Sequence, residues 1–192
     1  MIVTLFLAAL AAAATFLGNA SALQYARGAA PWTLLTCHFT HWSTDQFLWG
    51  LAVFVPLGIA CERRSRTRFL LALSGSAVAV PLLVGALAPS IGSYRGLSGL
   101  DSALFALLAC MIAGERKSGD RATLLLILAA ALGFGGKIAY ELFTGSPMFA
   151  SQLGHGIVPV PLAHAVGAVA GVVAAFAPLP AFNSLQRRTA CS

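Results

Sequence analysis

Six apolar runs, each close to the length that crosses a bilayer, decide most of what this chain can fold into. They cover approximately residues 2–24, 46–61, 69–88, 97–114, 122–143 and 160–180, and a membrane-spanning helix needs about 20 predominantly apolar residues. Only 9% of the 192 residues are charged against 58% hydrophobic, where soluble domains carry about 25% charged residues. So few charges cannot build a water-facing surface. Lipid is the expected solvent, and the expected fold is an all-α polytopic membrane protein, one domain over 1–192 with six transmembrane helices. The first run has no basic residue before Arg27. The small residues Ala20-Ser21-Ala22 suit a signal-peptide cleavage site, yet a retained helix is the favoured reading.

The net charge of +6 raises the question of nucleic acid, and its distribution argues against it. Arg63, Arg64, Arg66 and Arg68 fill the second connection, Arg116, Lys117 and Arg121 the fourth, and Arg187 and Arg188 follow the last run. Nine of the 12 basic residues therefore fall on one side, leaving Arg27 and Arg95 on the other and Lys137 inside the fifth run. Positive charge marks the cytoplasmic side of a membrane protein. Both termini are thus expected in the cytoplasm, in a membrane of bacterial inner-membrane type, with lipid as partner and no nucleic acid. Cys37, Cys61, Cys110 and Cys191 lie in different segments without CxxC spacing and read as small apolar side chains rather than a disulfide framework.

The outer connections differ in character. Residues 25–45 carry Trp32, His38, His41 and Trp42 with Pro31 among them, which suits an interfacial loop with tryptophans at headgroup depth. Residues 89–97, with proline and glycines, cannot be helical throughout. Irregular backbone at membrane depth requires protein or water to satisfy it, so a water-filled cavity open to the outer side is expected.

Polar groups inside transmembrane segments are costly and mark function by default. Gln46 stands 16 residues before Glu62, Ser98 17 before Glu115 and His164 16 before Pro180. At a rise of about 1.5 Å per residue all three lie about 25 Å from the cytoplasmic boundary. Gly96-Leu97-Ser98-Gly99 sets a serine where a glycine-rich loop becomes a helix, and free N–H groups there can bind an oxyanion. Taken alone this pattern equally describes helix packing. Gly167 and Gly171, four residues apart, form a small face for close helix contact, with His164 beside it. A membrane histidine serves as often in structure as in catalysis; next to a serine at matching depth it reads as a general base. Asp101, one turn below Ser98, orients a catalytic group or water, or else is a hydrogen-bonded structural carboxyl. Lys137 and Glu141 form an i,i+4 pair favoured as mutually neutralising. His38 and His41 have metal-ligand spacing without a third ligand, so no metal site is expected.

On these motifs the chain resembles the rhomboid intramembrane proteases: Gly96-Leu97-Ser98-Gly99 opens the fourth helix, and Ala163-His164 with Gly167 and Gly171 lies in the sixth. Glu62-Arg63-Arg64 looks like the family's cytoplasmic turn. Leu35 to His41 and Tyr94-Arg95-Gly96 look closest to a rhombosortase-like branch. The resemblance implies a six-helix rhomboid-like bundle and a catalytic dyad of Ser98 and His164 without an acidic third member. It implies no cofactor, and cleavage of single-span or C-terminally anchored membrane proteins near their outer, periplasmic end. Gly96 and Gly99 would support the oxyanion hole with Gln46. Two departures stand out. The family's His-x-x-x-Asn pattern in the second helix falls on Gln46 and Gly50, and the aromatic one turn after the serine is Ser102. An inactive rhomboid-like protein that binds membrane clients is therefore the alternative, and a small transporter a more remote one.

Overall fold

The computed structural model describes residues 1–148 and 160–178. The long helices among them are α1 (Ile2–Phe16), α2 (Thr44–Arg64), α3 (Arg66–Leu87), α4 (Ser98–Glu115), α5 (Arg121–Thr144) and α6 (Pro161–Phe176). Helices α2 to α5 are long and apolar enough to cross a membrane, whereas α1 and α6, at 15 and 16 residues, are shorter. Six apolar helices are present, then, but four rather than six have the length of a full span. Helix α1 stops well before residue 24 because Gly18 and Asn19 interrupt it. Asn19 caps a separate turn, Ala20–Leu23, by accepting from the Ala22 N–H at 3.4 Å. Helix α6 opens on Pro161, whose missing N–H costs nothing in a first turn. The end of the expected sixth run at 179–180 lies outside the described residues, as do Arg187, Arg188 and Cys191.

Helices α2 and α3 meet through Ser65 alone, whose hydroxyl accepts from the Arg68 N–H at 3.4 Å. Asp120 caps α5 by accepting from the Thr123 N–H at 3.0 Å. Arg64 stands 3.6 Å from Glu115, so α2 and α4 end, and α3 and α5 begin, at one end of the bundle. The start of α1 joins them through Glu62, whose carboxylate accepts from the N–H groups of Val3 (3.2 Å) and Thr4 (3.0 Å) and from the Thr4 hydroxyl (2.8 Å). A carboxylate there satisfies donors that no intrahelical carbonyl reaches and faces the positive end of the helix dipole. Gly58 permits the approach, since a Cβ on it would lie 2.5 Å from Thr4 Cγ2. The motif that resembled a family turn thus binds α1 to α2.

Helix α4 is central. Its Leu100, Leu104, Leu107 and Met111 pack with Phe47, Phe54 and Cys61 of α2, Phe69, Ala72 and Leu73 of α3, and Ala174 and Ala175 of α6. Its closest neighbour is α6. A Cβ on Gly167 would collide with the carbonyl oxygen of Gly99, and one on Gly171 with that of Ala103. Helix α5 differs from the rest, because Glu141 is its only buried residue and most of its apolar side chains face outward, Phe134 being stacked on Phe105 of α4 at 5.0 Å.

The α4–α6 contact generates a stability prediction. Gly167→Val is expected to cost about 2 kcal/mol or more through forced separation of the two backbones. Gly136→Val, with nothing within 4 Å of its Cβ position, is expected to stay within about 0.5 kcal/mol of the parent. Thermal unfolding of the purified protein in detergent measures both.

Candidate active site

At the end of the bundle away from the basic residues, two irregular segments fold onto each other. Tyr25–Ala26 (β1) pairs antiparallel with Ser93–Tyr94 (β2), Tyr25 opposite Tyr94. The Thr36 hydroxyl donates to the Leu23 carbonyl at 2.8 Å. Arg95 Nε donates to Gln24 Oε1 at 2.9 Å, and its guanidinium lies 4.0 Å over the Trp42 ring. Residues 25–45 fold back onto the bundle: Cys37, His38 and Thr40 are fully buried, although Trp32 remains exposed. His38 Nε2 sits 2.9 Å from the Ala77 carbonyl of α3, and its ring meets Tyr94 edge-on. His38 and His41 have metal-ligand spacing in the sequence without a third ligand. They take separate partners instead, and among the described residues no three His, Cys, Asp or Glu side chains converge on a metal site.

This packing shapes the approach to Ser98. Gly96 adopts φ +114°, a conformation a side chain rarely allows, and its N–H donates to the Cys37 carbonyl at 3.0 Å. Two residues later α4 begins at Ser98, behind Leu97 and without a side-chain cap, so its first N–H groups have no intrahelical acceptor. The Tyr94 hydroxyl lies beside Ser98 and Gly99 and donates to the Gly96 carbonyl at 3.3 Å. Burial pushes the Tyr94 phenol up, which keeps it a neutral donor. Gln46 Oε1 accepts from the Trp42 N–H at 2.7 Å. That bond turns the amide nitrogen toward Gly96, 3.1 Å from where a Cβ would stand. Gly50 leaves room that Leu97 and His41 share: Leu97 Cβ is 3.5 Å and His41 Nε2 3.8 Å from its Cβ position. His41 Nδ1 lies 3.0 Å from the Thr15 hydroxyl, while its Nε2 is buried without a hydrogen-bond partner. Sequence reading missed this role because the residue lies outside the helix that carries Gln46 and Gly50.

His164 is buried on α6, one turn before Gly167. Its Nδ1 lies 3.2 Å from the Ser102 hydroxyl, which also donates to the Ser98 carbonyl at 2.8 Å. A direct Ser98–His164 hydrogen bond is expected from sequence and is not formed here, because Ser102, one turn further along α4, meets the ring first. The residue that replaces the family's aromatic thus holds His164 by a hydrogen bond. On the other side His164 Nε2 is 3.1 Å from Lys137 Nζ and 3.2 Å from Glu141 Oε2. Lys137 and Glu141 are paired at 2.8 Å, as their spacing predicts, and the pair also reaches the histidine, which it does not. Asp101 is buried, and its Oδ1 has no partner.

Gln46, Ser98, Asp101, His164, Lys137 and Glu141 all line one cavity of about 540 Å³. Gly99, by contrast, faces α6 and Tyr94. The family model for the rhomboid domain matches residues 28–181, most of the chain, and the protein belongs to the rhomboid family. Members of that family are generally intramembrane serine proteases. With its apolar helices, the chain is an integral membrane protein. No individual curated protein matches it.

Burial pushes the His41 imidazole down from 6.5 to about 4. Unfolding releases the ring to its ordinary value, so below pH 6.5 the unfolded chain binds the additional proton and the fold loses stability until the native ring also titrates. Between pH 6.5 and 4 the loss assigned to this ring is about 3 kcal/mol. His41→Phe is expected to flatten that part of the stability profile, measured by thermal unfolding across the same pH range.

Proposed function

We propose that this protein is an active rhomboid endopeptidase in which Ser98 is the nucleophile and His164 the general base. The observation that carries the proposal is the convergence on one cavity of three things: an uncapped helix start bearing a serine, a buried histidine from a neighbouring helix, and an amide donor turned inward. Ser98 Oγ gives its proton to His164 and bonds to the scissile carbonyl carbon, whose oxygen becomes an oxyanion held by the Ser98 N–H and the Gln46 amide. Collapse breaks the C–N bond, with the His164 proton passing to the leaving amine. Water then cleaves the acyl-enzyme through the same base. Substrates are single-span or C-terminally anchored membrane proteins cut near their outer end. The seven basic residues at the opposite end of the bundle support cytoplasmic termini and a cavity open to the periplasmic side of a bacterial inner membrane.

A second reading has its own observation. The His164 ring is held by Ser102 rather than Ser98, as suits a rhomboid-like protein that binds membrane clients without cutting them. Labelling by a fluorophosphonate probe separates the two, since only an activated serine reacts. Wild-type protein is expected to label at Ser98 and to cleave members of a panel of single-span substrates. An unlabelled, folded wild-type protein would establish the inactive reading.

Within the active enzyme, Ser98→Ala, His164→Ala and the double variant are expected to be equally inactive, because either loss disables the nucleophile. Ser102→Ala is expected to stay within about tenfold of wild type, since a mid-helix serine has no free N–H groups beside it for an oxyanion. Gln46→Ala is expected to lower turnover by about ten- to a thousandfold. Labelling that survives Ser98→Ala and vanishes in Ser102→Ala would move the nucleophile one turn down the helix.

A further inference from the structure

Helix α5 buries a single residue, and that residue is a carboxylate. Glu141 is 4% exposed, and its two oxygens are used unequally. Oε1 accepts from Lys137 Nζ at 2.8 Å and from the Met148 N–H at 3.3 Å. Oε2 is buried, has no hydrogen-bond partner, and stands 3.2 Å from His164 Nε2, off the line of a ring N–H. A pair serving only to neutralise itself would not leave one carboxylate oxygen without a protein donor and beside a third ionisable group, because an unsatisfied buried acceptor costs about 1–3 kcal/mol.

We infer that Glu141 is a positioning residue for His164, so that the site works as a Ser–His–Glu arrangement drawn from α4, α6 and α5. The inference rests on the protease reading above and adds to the dyad the acidic member that the family resemblance leaves out. In the resting arrangement each hydrogen bond has a donor and an acceptor: Lys137 donates to Nε2, the Nδ1–H to the Ser102 hydroxyl, and that hydroxyl to the Ser98 carbonyl. In the working arrangement the ring proton sits on Nε2, and a small turn of the imidazole directs it at Glu141 Oε2. Nδ1 then offers its lone pair to the serine, whose hydroxyl takes the place of Ser102. Transfer of the Ser98 proton makes His164 an imidazolium, and the adjacent carboxylate offsets its charge inside a cavity where water screens poorly. Lys137, bonded to Oε1 at 2.8 Å, fixes the carboxylate's rotamer.

Among the described residues, the ionisable groups that α5 and α4 bring to the cavity beside His164 are Lys137 and Glu141 from α5 and Asp101 from α4. Helix α3 contributes none, since its only charges, Arg66 and Arg68, lie at its start, with Arg68 beside Ala175 at the far end of α6.

The test is the pH dependence of substrate cleavage by full-length protein in proteoliposomes, with fluorophosphonate labelling rates in parallel. Glu141→Gln is expected to lower kcat by about ten- to a thousandfold, with KM changed by less than about threefold. The acid limb of its kcat/KM profile is expected at lower pH, because the imidazolium has lost its counter-charge. Lys137→Met removes a cation and is expected to move the limb the opposite way. Glu141→Asp, which keeps the charge, is expected to keep the wild-type limb at a reduced rate. The inference is overturned if folded Glu141→Gln retains the wild-type rate and limb, or loses rate with the limb unmoved, which would assign Glu141 to packing. If Glu141→Gln does not fold, Lys137→Met decides: an unmoved limb overturns the inference. A wild-type protein that neither cleaves nor labels fails the protease reading itself, and is told apart by the silence of the parent.

Discussion

The contact of α4 with α6 is the constraint on which the rest of the molecule depends. Lipid supplies no hydrophobic force between helices, so association relies on van der Waals packing and on hydrogen bonds across the contact. Gly167 and Gly171 leave α6 without side chains where it meets the Gly99 and Ala103 carbonyls, and the two backbones touch. His164 lies on the same side of α6, one turn earlier, and the contact sets its distance from α4. A wider separation would lift the imidazole away from Ser102 and Ser98 together. The glycines, remote from any chemistry, thus decide whether the polar side chains can meet at all.

A second constraint comes from backbone at membrane depth that is neither helix nor barrel. Every N–H and C=O in such a segment needs a partner within the protein or in trapped water. The chain meets this need by folding two loops together: the short ladder of β1 with β2, the Gly96 to Cys37 bond and the His38 contact with Ala77. These interactions also make the cavity wall, and much of what stays unsatisfied collects there. His41 Nε2, Asp101 Oδ1 and Glu141 Oε2 are all buried without partners on residues that line the cavity. Well-packed proteins leave few such atoms, and a local concentration of them is characteristic of a functional site.

Helix α5 joins this system through polar contacts and through the stacking of Phe134 on Phe105 of α4. Its outward side chains suit lipid, and its buried Glu141 reaches the same histidine that α6 carries. The geometry of the base is therefore set by three helices.

Much of the fold was legible in the amino-acid sequence, because bilayer thickness and helical rise translate directly into run lengths and depths. The apolar runs at 46–61, 69–88, 97–114 and 122–143 became α2 to α5 with ends shifted by a few residues, and Gln46, Ser98 and His164 line one cavity as their common depth implies. The overlong first run was misjudged, since hydropathy does not register how strongly Gly18 and Asn19 end a helix. Depth and periodicity, however, say nothing of how far helices rotate or how closely they approach. That left to tertiary structure the choice of Ser102 over Ser98 as the partner of His164, and the reach of Lys137 and Glu141 across to α6. It also left open the filling of the space beside Gly50 by Leu97 and His41, from the segments before α4 and α2. Each is a contact between elements distant in sequence, decided within an ångström or two by packing that no single segment contains.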